Sequence, residues 1–83
     1  MLSLNEPVSV TMMYNHYQHK TVPLELIWRH RHYPITQIGL HHMYQEGNTL
    51  KHVFSVVSKD NFFELSFDTK ELTWQLKKSD VAA

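Results

Sequence analysis

Seven histidines give this 83-residue chain most of its chemical range. An imidazole titrates near neutrality, donates or accepts a hydrogen bond, and binds transition metals as the neutral ring. A metal site needs three or four converging His, Cys, Asp or Glu side chains, and spacing limits which histidines can meet. His30 and His32 are two apart, which puts both on one face if they lie in a strand. His41 and His42 are adjacent, so on a strand they point to opposite faces. His42 and His52 are expected to face each other across a hairpin, sharing a hydrogen bond or holding an ion with a third ligand. No His-x-x-x-His on a helical pattern and no carboxylate cluster supplies that ligand, so no metal or cofactor is assigned.

A second constellation is basic and aromatic: Trp28, Arg29, His30, Arg31, His32 and Tyr33, with Lys20 nearby. Small β-barrels bind single strands by stacking bases on exposed aromatics while basic side chains follow the phosphates. Residues 20 to 52 carry four Lys/Arg, two Glu and five His, whereas residues 59 to 80 carry four Lys and five Asp/Glu. The polarity is mild, and the chain as a whole has no formal net charge, where a nucleic-acid binder usually shows a basic excess. A third constellation is apolar. Phe62, Met13 and Met43 fall on nominally outer strand faces, together with Val53 and Val57, and such a surface suits a protein partner or a second copy. Catalysis has the least support: there is no glycine-rich phosphate loop, nucleophile elbow or evident triad.

Strands must position these groups. Phe63, Leu65 and Phe67 alternate with polar residues, as do Leu72, Trp74 and Leu76, which marks strands with one dry face. A turn at Asp68-Thr69-Lys70-Glu71 predicts Phe67 opposite Leu72, Leu65 opposite Trp74 and Phe63 opposite Leu76. A turn at Ser58-Lys59-Asp60-Asn61 predicts Val56 opposite Phe63, Phe54 opposite Leu65 and His52 opposite Phe67. Val8, Val10, Met12 and Tyr14 predict a first strand, and Asn15 to Pro23 a loop. Leu24, Leu26 and Trp28 begin a further strand, with a turn at His30-Arg31 that sets Trp28 opposite Tyr33. The parity switch beside Gly39 reads as a β-bulge. A three-residue loop at Glu46-Gly47-Asn48 then sets Ile38 opposite Val56, Leu40 opposite Phe54 and His42 opposite His52.

With 83 residues, 42% of them apolar, the chain suffices for one small core. The absence of cysteine excludes disulfides and thiolate chemistry. No basic leader and no apolar run of membrane-spanning length is present, so no membrane association and a cytoplasmic location are expected.

The run Leu26-x-Trp28-Arg29-x-Arg31-x-Tyr33, then Val53-Phe54-x-Val56, Phe63-x-Leu65-x-Phe67-Asp68 and Trp74-x-Leu76, resembles small uncharacterised bacterial all-β domains. That pattern often has glycine between the two arginines, where this chain has His30. The resemblance implies a fold and no activity. The expectation is therefore all-β: an antiparallel meander of about six strands forming a small barrel or roll over residues 5–78, followed by a disordered tail at 79–83. The expected function is a non-catalytic interaction module with a protein partner or as a homodimer. The alternative is single-stranded nucleic-acid binding through Lys20, Trp28, Arg29, His30, Arg31, His32 and Tyr33.

Overall fold

The computed structural model describes residues 2–81. Its seven strands are β1 (Leu2–Asn15), β2 (Lys20–Trp28), β3 (Arg31–Pro34), β4 (Gln37–Glu46), β5 (Thr49–Ser58), β6 (Asn61–Asp68) and β7 (Thr73–Ser79). They form one antiparallel sheet in the order β3-β2-β1-β7-β6-β5-β4. The two edges, β3 and β4, are consecutive in the chain. Ile35 N donates to Leu24 O on one side and Thr36 N donates to Val57 O on the other, each at 2.9 Å. Two adjacent residues thus tie the sheet's opposite ends together, and the sheet must curl into a small half-closed roll. Among the described residues no helix is long and apolar enough to cross a membrane.

The inner face holds Leu26, Trp28, Tyr33, Phe54, Val56, Phe63, Leu65, Trp74 and Leu76, all buried. Each large apolar side chain fully withdrawn from water contributes about 1.5–3 kcal/mol, so this cluster is the main favourable term. Phe54, Leu65 and Leu76 stand directly opposite one another across three strands. The β5–β6 hairpin has the register expected from its alternation, down to Ser58 opposite Asn61.

Four expectations need correction. The β6–β7 hairpin is shifted by two residues: Phe67 faces Trp74 and Leu65 faces Leu76. Asp68 Oδ1 accepts from the backbone N of Lys70 and Glu71, and Leu72 N donates back to Asp68 O. That leaves Leu72 in the left-handed region (φ 59) and exposed, inside the loop. The β2–β3 turn is Arg29-His30, not His30-Arg31, so Tyr33 faces Leu26 and Arg31 faces Trp28. Positive φ at both central residues (54 and 63) is the twist-matched form of a two-residue hairpin turn, and His30 occupies a position where glycine is unstrained. The expected loop at 15–23 shrinks to residues 16–19, because Lys20 already pairs with Asn15. Finally, the fold runs past both expected limits. Leu2 pairs with Ser79, Ser79 is fully buried, Asp80 exchanges hydrogen bonds with Phe62, and Val81 packs on the core. Of the expected tail, Ala82 and Ala83 lie outside the described residues.

Candidate functional site

The roll stays open along one seam. β3 pairs with β2 only over Glu25 to Trp28, and Ile35 adds one bond to Leu24. Among the described residues that side of β2 has no neighbour from Lys20 to Pro23, and neither does the outer side of β4. Between these two free borders lies a pocket of about 500 Å³. Gln18, His19, Lys20 and Thr21 form one wall, and His41, Met43, His52, Phe54 and Phe67 form the other wall and floor.

A bulge decides which histidine enters. The expected bulge beside Gly39 is present, but it falls after Ile38: Ile38 faces Val56 and the next aligned pair is His41 with Phe54. The loop is correspondingly one residue shorter than expected, with Glu46 opposite Thr49 and Gly47 at φ 63. One extra residue in the strand reverses the faces beyond it. His41 and Met43 therefore point inward, Leu40 is 70% exposed, and the inner partner of His52 is His41 rather than His42. Gly39 sits where a Cβ would meet Ser55 O at 3.5 Å, a contact a side chain tolerates, so the bulge is not imposed by a steric need for glycine.

His41 Nε2 and His52 Nδ1 are 2.8 Å apart, one ring donating to the other's lone pair. The His41 ring lies flat on Phe54, 4.2 Å between centroids and 10° between planes. Behind them Trp74 packs on Phe54 at 5.6 Å and on Phe67 at 4.8 Å. The Trp74 indole N–H is buried with no acceptor among the described residues. Burial holds the pKa of both imidazoles below the ordinary value, and for His41 the charges of His52, Lys20 and His42 add to that effect. Both rings are accordingly held toward the neutral form, and one hydrogen bond links them. Among the described residues no three His, Cys, Asp or Glu side chains converge as a metal site requires.

The seven residues expected to bind together are divided. Lys20 stands at the seam, at the far end of β2 from Trp28, roughly 25 Å along an extended strand. Trp28 and Tyr33 are core residues, 4% and 7% exposed, each in edge contact with Phe63. They provide no platform on which a base could stack. The Trp28 indole N–H donates to Glu6 Oε2, and Arg29 Nη2 donates to Glu6 Oε1 at 2.9 Å while its guanidinium lies 4.6 Å over the Trp28 ring. These two hydrogen bonds, the indole's first, hold the Glu6 carboxyl below its ordinary pKa. His32 is bonded to Glu25 at 3.1 Å, and His30 and Arg31 are exposed at the hairpin tip. The apolar outer surface expected from Met13, Met43, Val53, Val57 and Phe62 is likewise broken up. Met43 faces the pocket, Val53 is buried, and Val57 and Phe62 are half-buried.

Sequence reasoning passed over Glu6. The signal was there: continuing the alternation of Val10 and Val8 backward puts Glu6 on the inner face, where a carboxylate needs partners. His19, Thr21 and Gln18 carried no such signal, because only the seam brings them opposite β4. No family model matches this chain, and neither does any curated protein or solved structure.

Proposed function

We propose that the chain is a non-catalytic interaction module of the cytoplasm that associates with a second copy of itself through the free edge of β4. The observation that carries this reading is the difference between the borders of the sheet. An exposed edge is a template for another strand, and proteins blunt it with short strands, lysine or proline. β3 is four residues long and ends in Pro34; the unpaired stretch of β2 begins with Lys20 and includes Pro23. β4 has ten residues with neither proline nor lysine, and Leu40 and Met43 on it are 70% and 57% exposed. A formal net charge of zero leaves little repulsion between copies.

The sequence of β4 also allows a self-complementary register. A two-fold axis at Tyr44 sets His42 of one copy opposite Glu46 of the other, twice, in one continued antiparallel ladder. Like charges directly opposite one another destabilise such a ladder. Sedimentation equilibrium over a dilution series at low salt tests the proposal. His42→Glu is expected to weaken the dimer about tenfold, and His42→Lys to strengthen it, with both effects shrinking at high salt. A chain that stays monomeric to millimolar concentration, or equal behaviour of the two variants, refutes it.

A further inference from the structure

We infer that the seam pocket binds a small carboxylate with an apolar body, such as an aryl-substituted acetic acid. This inference does not rest on self-association: it is argued from the lining of the pocket alone, which borders the β4 edge that a second copy would use.

The pocket's volume, about 500 Å³, falls within the range of roughly 300–1,000 Å³ usual for small-molecule sites, and barrel mouths are a recurrent place for them. Its two halves differ in chemistry. Phe67 and Met43 offer an aromatic and thioether floor for a flat apolar group, backed by the buried Phe54. Lys20 on one wall and the His41–His52 pair on the other offer the polar contacts, and His19 is the remaining ionisable group. Among the described residues no Asp or Glu lines the pocket. In a chain with eight acidic and eight basic side chains, a lining of one lysine, three histidines and no acid is a local excess of potential positive charge. An anion is the charge that complements it.

The proton inventory points the same way. The groups facing the pair are Lys20 and His19 from the β1–β2 hairpin and His42 from the same strand as His41, while β6 contributes only Phe67. Burial opposes a proton on either ring, and His52, Lys20 and His42 oppose one on His41. A carboxylate between Lys20 and the imidazoles reverses that balance, so binding draws a proton onto the pair and tightens as pH falls toward about 6.

The test compares 1-naphthylacetate with 1-naphthylacetamide, which share shape and differ in charge, by calorimetry and by NMR of the imidazole resonances. At pH 6 the acid is expected to bind at least tenfold more tightly than the amide, with the ratio narrowing at pH 8. Lys20→Gln, at an exposed position, is expected to weaken the acid severalfold and leave the amide unchanged, and His41→Gln to do the same. Equal affinity for acid and amide, no binding of either at millimolar concentration, or indifference of the acid to Lys20→Gln overturns the inference.

Discussion

Replacing Lys59-Asp60 by Asn-Gly is expected to stabilise the protein by about 1 kcal/mol. Both residues sit at positive φ, 49 and 66, in the two-residue turn between Ser58 and Asn61. The left-handed region costs a residue with a Cβ roughly 1–2 kcal/mol, with Asn and Asp penalised least. Asn at 59 and Gly at 60 relieve most of that strain. Against this, glycine at 60 loses about 0.5–1 kcal/mol more chain entropy on folding, and the only contact given up is a long one, Lys59 Nζ to His32 O at 3.5 Å. The turn has no cheaper geometry available, because Val56–Phe63 and Phe54–Leu65 fix its register from inside the core. For a domain of this size 1 kcal/mol corresponds to about 4–8 °C in Tm. Thermal melts and urea titrations followed by circular dichroism measure both. The same replacement at Arg29-His30, with φ 54 and 63, is an internal control: there the backbone gain is offset by losing the Arg29–Glu6 contact, so the increase is smaller. No gain at 59–60 with an unchanged urea slope, or a larger gain at 29–30, would refute the reasoning.

Two further outcomes are expected besides those given for β4 and for the pocket. Leu65→Ala removes a fully buried side chain and is expected to cost about 2–5 kcal/mol. Leu72→Ala, at a residue 72% exposed, should stay within about 0.5 kcal/mol; comparable losses at the two sites by urea titration would contradict the β6–β7 register. Stability is also expected to fall as pH drops below about 6.5, the ordinary histidine value. His41 and His52 bind protons less readily folded than unfolded, so the unfolded chain takes up protons first. The double variant His41→Asn/His52→Asn should flatten the stability profile between pH 7 and 5. Glu6 and Asp68 act in a separate window, contributing stability above their ordinary values of 4.5 and 3.8 that is lost as pH falls through their lower folded pKa values.

The two slipped hairpins share one cause. Alternation specifies which side chains share a face, and a slip of two residues leaves every face unchanged. Both hairpins that slipped, Phe67–Trp74 and Leu26–Tyr33, did so by two. Their true registers depend on which residues tolerate positive φ, and neither Leu72 nor Arg29 advertises that. The β5–β6 hairpin was legible because its polar turn residues leave a single place to close. At β4 the difference was one residue, and there it mattered: a two-residue loop combined with a bulge turned His41 rather than His42 toward His52. The pocket itself was not legible, since it is made by strands that fail to meet.

The junction at Ile35-Thr36 has a consequence for how the chain assembles. Of the six ladders, five join strands that follow each other directly in sequence, and only β1 with β7 joins segments some seventy positions apart. Cut at that junction and spliced through its first and last strands, the same molecule would become a strictly sequential up-and-down ribbon, β4-β5-β6-β7-β1-β2-β3. The native connectivity is thus a circular permutant of the simplest possible meander. The entropy of closing one long loop is concentrated in a single ladder, that of β1 with β7.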